Sequence, residues 1–238
     1  MKTINKLTLL ILCLLVNVLS AQEVDDILKK YMEVTRSVTA LQSDINYAMY
    51  KNENGTKAYE SYNGIQIRQE ETFYQQLDKM EYIQGKDFVV KLNKDQKIMM
   101  VEYSSEPILR GVDQVATDKM LGYFNDKKLK DSQTHWEIEL SSQEPELSEI
   151  SKIILHIDKN TYRLSKQILF FDIVSDFAIY ENKPEPDMGI PRLEITYSNY
   201  LDTIKNSKVL EQDRYFTYND SKINAAAEFK GFEVIMAN

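Results

Sequence analysis

LDKMEYIQGKDFVVKLNKDQKIMMVEY, residues 77–103, decides how this chain is read. Met80, Tyr82 and Gln84 alternate with Glu81 and Ile83, and Asp87 to Leu92 and Lys97 to Tyr103 follow as two more short apolar runs. Gly85 and Asn93-Lys94-Asp95 punctuate them. Runs of five to seven residues rich in Val, Ile, Phe and Tyr, each bounded by turn residues, form antiparallel strands joined by tight connections. The segment predicts a meander of strands at 79–84, 87–92 and 97–103.

The same period extends towards the N-terminus. Leu41, Ser43, Ile45, Tyr47 and Met49 alternate with polar or small residues, which predicts a strand with one buried face. Glu53-Asn54-Gly55-Thr56 then predicts a tight hairpin turn, because Asn-Gly accepts the positive φ that such turns need. Asn54-Gly55-Thr56 also matches a glycosylation sequon, as does Asn219-Asp220-Ser221; the flanking strands already demand turns at both. Strands are expected at 57–62 and 65–74, with Gly64 between them. Ahead of this sheet, Val24, Ile27, Leu28, Tyr31, Met32, Thr35 and Val38 repeat at three-four spacing, the pattern of an amphipathic helix over 24–38.

Beyond residue 103 the period changes again. Ile108, Val112, Val115, Ala116, Met120, Tyr123 and Phe124 share one helical stripe, so a central helical insert is expected over 107–129, with residues 125–131 as a helix end. Strands resume at Trp136-Ile138-Leu140, at Ile153-Leu155-Ile157, over 162–174, and at Leu193-Ile195-Tyr197. Lys159-Asn160 reads as a turn, 177–191 as a Pro- and Gly-bearing connection, and 228–236 as a terminal strand.

The first residues form a third pattern. MKTINKLTLLILCLLVNVLSAQ has a basic start at Lys2 and Lys6, an apolar run from Leu7 to Leu19, and small residues at Ser20-Ala21. That is the layout of a secretory signal peptide cleaved near Ala21, leaving 22–238 as a single domain that works in the periplasm or outside the cell. Cys13, the only cysteine, follows Leu12 inside the apolar run rather than a small residue at the cleavage point. The mature protein is therefore expected to carry neither a lipid anchor nor a disulfide.

Composition excludes several classes of function. The chain has 29 basic and 37 acidic residues and a net charge of −8. An acidic surface argues against nucleic acid and against simple adhesion to anionic membranes. No second apolar span marks an integral membrane protein. No Gly-x-Ser-x-Gly elbow, thiol nucleophile or Gly-rich phosphate loop is present, so no enzymatic activity and no cofactor are expected. His135 and His156 lie on different expected strands and no calcium-loop pattern occurs, so no metal site is expected.

Four runs are apolar on both faces: Phe88-Val89-Val90, Ile98-Met99-Met100-Val101, Ile153-Ile154-Leu155 and Ile168-Leu169-Phe170-Phe171. A strand wetted on one side needs apolar residues on one side only. Something covers the second face, either the chain's own helices and loops or a removable apolar ligand.

The order of elements, with LDKMEYIQGKDFVVKLNKDQKIMMVEY (77–103), THWEIEL (134–140), ISKIILHID (150–158), YRLSKQILFFD (162–172) and FKGFEVI (229–235), resembles the periplasmic outer-membrane lipoprotein carrier family. The resemblance implies an α+β fold: a strongly curved antiparallel sheet, an incomplete barrel, covered by an N-terminal helix and a central helical insert. It implies a hollow that receives the acyl chains of lipids or lipoproteins, without covalent chemistry. Phe88, Val90, Met100, Val112, Met120, Leu155 and Phe170 are the expected lining. No motif places the family's functional arginine; Arg68, the only strand arginine of the early sheet, is the candidate for it. Leu77-Asp78-Lys79-Met80 stands where the family pairs a proline with a basic and an aromatic residue. The alternative is a cell-envelope structural or interaction module on the same fold, its core filled and its partner a protein.

Overall fold

Alternating apolar residues put their side chains on one face of a strand, and hydrogen bonding then builds the strands into a sheet. That rule organises just over half of the described residues. The computed structural model describes residues 23–103, 123–142, 149–181, 183–219 and 222–237. Helix α1 spans 23–37. It is followed by β1 (Ala40–Tyr50), β2 (Glu60–Gln69), β3 (Thr72–Leu77), β4 (Met80–Gln84), β5 (Phe88–Asn93), β6 (Ile98–Tyr103), β7 (Asp126–Asp131) and β8 (His135–Ser141). Then come β9 (Ile150–Asp158), β10 (Leu164–Phe171), β11 (Ser175–Asp176), β12 (Met188–Gly189), β13 (Arg192–Leu201), β14 (Phe216–Asn219), β15 (Lys222–Ala225) and β16 (Glu233–Ala237).

Among the described residues, twelve strands share one sheet in the order β16-β6-β5-β4-β3-β2-β1-β13-β10-β9-β8-β7, and it is not closed into a barrel. β11–β12 and β14–β15 form two small hairpin pairs. The expected fold class is present: a helix, then a large open sheet. The sheet is mixed, because β16 runs parallel to β6.

The chain divides into two compact units. The first consists of the described residues of Met1–Ser37, Ala48–Glu60 and Ala116–Thr196. The second consists of those of Val38–Tyr47, Ser61–Val115 and Tyr197–Asn238.

In the first unit, α1 buries Val24, Ile27, Leu28 and Tyr31, the stripe expected from their spacing. Asp25 on its wetted side pairs with Lys127 of β7 at 2.6 Å. β8, β9 and β10 bury Ile138, Leu140, Ile153, Leu155, Ile157 and Leu169. The β9–β10 turn is held by Asp158, whose Oδ1 accepts from the Asn160 and Thr161 amides at 3.1 and 2.8 Å.

Residues 126–131 are not a helix end. They form β7, with Leu129 opposite Ile138 and Lys128 and Lys130 opposite Glu139 and Glu137. Cross-strand charge pairing outweighs the helical pattern there, and lysines on an end strand also discourage pairing with another chain. The rest of the expected insert, 107–122, and the expected signal peptide lie outside the described residues.

The expected Asn54-Gly55 hairpin is a longer connection, 51–59, between β1 and β2. Other groups of the unit hold it open. Arg192 of β13 donates through Nη1 to the Glu53 carbonyl and through Nη2 to the Gly55 carbonyl at 3.0 Å. Its guanidinium also lies 4.1 Å from the centre of the Tyr50 ring. A two-residue turn would remove both carbonyls from its reach.

In the second unit, β2 to β6 form the expected meander, with one boundary displaced. β2 continues through Gly64, and the reversal occurs at Glu70-Glu71, with Gln69 opposite Thr72. Gly64 is an opening for the next strand, since a Cβ there would fall 1.7 Å from the Gln76 carbonyl oxygen. The tail is a 3-10 turn at Ala227–Phe229 followed by β16, shorter than the expected strand.

Candidate functional site

The register of the second unit sorts its side chains between two faces. Ile67, Tyr74, Ile83, Val90 and Val101 sit opposite one another across β2 to β6. All five are buried, and with Phe88, Leu92 and Met99 they form one core. The C-terminal segment completes that core with Val209, Tyr215, Phe216 and Phe229. Phe88 meets Phe216 edge-on at 5.9 Å, and Tyr215 stacks on Phe229 at 5.8 Å. Phe88 and Val90, two of the expected lining residues, are thus brought together in a face that the chain fills itself.

A buried ion pair lies at the margin of this core. The Glu81 side chain is 1% exposed. It accepts from Arg214 Nη1 at 3.0 Å and also pairs with Lys94. Arg214 donates to Glu228 at 2.8 Å and to the Tyr215 hydroxyl at 2.8 Å, and that hydroxyl donates to the Val209 carbonyl at 2.7 Å. Burial works against the Arg214 charge, but the bond to Glu228 and the fields of Tyr215 and Glu81 outweigh it and hold the guanidinium protonated. Burial, reinforced by Glu81, pushes the Tyr74 and Tyr215 hydroxyls well above their usual range. This cluster fixes the C-terminal segment to β4.

The opposite face carries two rows. One runs Arg68, Phe73, Gln84, Val89, Glu102; the other runs Gln66, Gln75, Tyr82, Lys91, Met100. In the first row Val89 is 2% exposed although its neighbour Val90 faces the other way. Phe73 and Tyr82 rings approach at 6.0 Å. Tyr82 donates to Gln84 at 3.1 Å and Gln75 to the Tyr47 hydroxyl at 2.8 Å. Arg68 reaches the Val38 carbonyl at 3.4 Å. Met100 ends the second row, 38% exposed. Arg68 and Met100 therefore share a face that Phe88 and Val90 do not.

The first unit sorts in the same way. Leu129, Ile138, Leu155, Gln167 and Ile195 align across β7, β8, β9, β10 and β13 on one face. Phe170 belongs to the other, between Lys152 and Arg192, with the Lys152 ammonium 3.9 Å from its ring centre. Leu155 and Phe170 are not brought together. Val112 and Met120 lie outside the described residues.

Phe170's face also carries Ile154 and Ile168, bordered by pairs of charged residues. Lys128 pairs with Glu139 at 3.0 Å, Lys130 with Glu137 at 3.3 Å, and Arg192 with Glu194 at 2.8 Å. On this face, the β8–β9 register sets Glu137 opposite His156, with His135 two residues along the same strand face. The two imidazoles stack with centres 4.7 Å apart. Burial, with the charge of His135, depresses the His156 pKa. Sequence spacing keeps the two histidines apart, and only strand register brings them together.

No helix among the described residues is long and apolar enough to cross a membrane. No protein-family model matches the chain. No curated protein matches it either. Several solved structures are similar. An uncharacterized conserved protein from Thermus thermophilus is 11% identical over 92% of this chain and 99% of its own, with a TM-score of 0.49. A LolA superfamily protein from Nitrosomonas europaea is 12% identical over 79% of this chain and 97% of its own, at 0.36. The Mycobacterium tuberculosis lipoprotein LppX is 9% identical over 76% of this chain and 96% of its own, at 0.40. At these identities the likeness concerns chain path alone.

Proposed function

We propose that this protein is a non-enzymatic carrier of the periplasm or extracellular space that binds acyl chains of lipids or lipoproteins. The observation that carries the reading is the apolar surface left partly open on the face opposite Val90, where Phe73 and Tyr82 are half-buried and Met100 is 38% exposed. The Val90 face is occupied by the chain's own Val209, Tyr215, Phe216 and Phe229. On this reading the acyl chain lies on the Val89 face, with Phe73, Tyr82 and Met100 as apolar contacts, and Arg68 opposite Phe73 and Lys91 between Tyr82 and Met100 as the cations for a headgroup or carboxylate. Phe88, Val90 and Leu155 then hold the fold rather than the cargo. Burying a tail contributes about 0.8 kcal/mol per CH₂, so an apolar face without covalent chemistry suffices for useful affinity.

The test is native mass spectrometry of the secreted protein before and after solvent extraction. Excess mass that leaves as lipid is expected. Met100→Asp, at an exposed position, is expected to cut lipid retention at least fivefold while the protein is still secreted and folded. A protein that carries no lipid and takes up none when vesicles are offered would sink the reading.

The filled Val90 face favours a second reading, an envelope interaction module. There the partner would be a protein strand added along β16, an end strand of the sheet. That reading predicts no bound lipid and no effect of Met100→Asp on retention.

A further inference from the structure

We propose that His135, Glu137 and His156 form a binding site for a divalent transition metal ion, zinc in the first instance, on the β8–β9 face of the first unit. Three residues of the right chemistry each offer one donor atom, and the three atoms lie within 4.8 Å of one another. Two imidazoles and one carboxylate are the donor set of open zinc sites, which keep a further position for water or another ligand. Hard cations such as calcium and magnesium prefer oxygen alone and are disfavoured by it.

The register makes this convergence a property of the sheet. Glu137 lies directly opposite His156, and His135 is its diagonal neighbour on the same face. His156 Nε2 is 4.0 Å from Glu137 Oε2. Donors on one zinc ion at about 2.0–2.2 Å sit roughly 3.3 Å apart. The His156–Glu137 pair thus needs a closure of about 0.7 Å and the whole set, within 4.8 Å, at most about 1.5 Å, which χ rotation can supply.

His135 is already oriented for the task. The Ser132 hydroxyl donates to the His135 carbonyl at 2.8 Å, so its lone pairs are what face His135 Nδ1 at 3.0 Å. Thr134 Oγ1 lies 3.1 Å from the same nitrogen. These contacts engage Nδ1 and leave Nε2 as the ring nitrogen to be offered to a metal. An outer hydrogen bond of this kind fixes the tautomer and ring orientation of metal-binding histidines. Lys130, the other partner of Glu137, is 74% exposed and can swing into solvent when the carboxylate turns to a cation. The proposal does not depend on the acyl-carrier reading, because it uses a different unit and different residues.

The test is zinc titration of the tag-free, chelator-washed protein against a chromophoric chelator, followed in parallel by NMR of the imidazole groups. His135 and His156 are the only histidines in the chain, so both ring signals report on this site. One zinc per chain is expected, with both imidazole spectra shifting together and a calcium excess without effect. His156→Asn and His135→Asn are each expected to weaken binding at least a hundredfold, and Glu137→Gln about tenfold. Ser132→Ala, which removes one outer partner of Nδ1 together with the Ser132 bonds to the His135 backbone and leaves Thr134 in place, is expected to cost about tenfold. Circular dichroism checks that each variant is folded, and the unsubstituted protein's NMR response stands even where a variant is not. The proposal is overturned if the imidazole signals do not move with zinc, if calcium displaces it, or if folded His156→Asn binds as tightly as the parent. The histidines would then be a stacked pair and nothing more.

Discussion

The side chains that decide most at the residue scale are Glu81 and Arg214, a carboxylate 1% exposed and the guanidinium that holds it. Taking two charges out of water is costly, and their attraction roughly offsets it only while both are present. Arg214→Met is therefore expected to destabilise the protein by about 3 kcal/mol, with Lys94 left as Glu81's remaining partner. Adding Glu81→Leu to that variant is expected to restore much of the loss, because the orphaned charge goes. Urea denaturation of the parent, the two single variants and the double variant measures the coupling; additive losses would mean that the pair is not the unit described. None of this is legible in the sequence. The two residues lie 133 positions apart, and among 37 acidic residues nothing local distinguishes Glu81. The histidine pair is hidden for the same reason, whereas the α1 stripe is readable because a helix repeats within four residues.

Elements are legible where one period runs unopposed and are obscured where tertiary contacts set the boundary. The strands at β4, β5 and β6 fall within a residue or two of their apolar runs, since two-residue and four-residue reversals leave the pattern intact. The 51–59 connection departs from the expected hairpin because Arg192, not Asn54-Gly55, sets its length. Gly64 reads as punctuation in the sequence, although glycine inside a strand also marks close backbone approach. A substitution separates these two roles. Gly64→Ala places a methyl group 1.7 Å from the Gln76 carbonyl oxygen, so β2 and β3 must part locally. A loss of at least about 3 kcal/mol is expected. Gly231→Ala meets nothing within 4 Å but must hold φ at +87°, and is expected to cost about 1 kcal/mol. Thermal melts of the two variants would give the order, and equal losses would contradict the close approach at residue 64.

At the scale of the whole molecule, the class of fold follows from alternation and composition, but what covers each face does not. Apolar runs such as Phe88-Val89-Val90 announce two covered faces without saying by what, because hydrophobic burial is non-directional. In the second unit one cover is a segment with little periodicity of its own, 204–232, where 3-10 turns and the β14–β15 hairpin present Val209, Tyr215, Phe216 and Phe229. Phe216 is fully buried against Phe88. Phe216→Ala is therefore expected to cost about 3–5 kcal/mol. The more informative measurement is where that loss appears. Local openings follow cooperative units, and this chain divides into two. Hydrogen exchange in the variant should quicken at β4, β5 and β6 while the amides of β8, β9 and β10 keep the parent's protection. Equal acceleration in both sets would mean that the twelve strands open as one body. The proposed acyl site would then be coupled to every core position in the sheet, and Met100→Asp would report on the whole sheet rather than on one face.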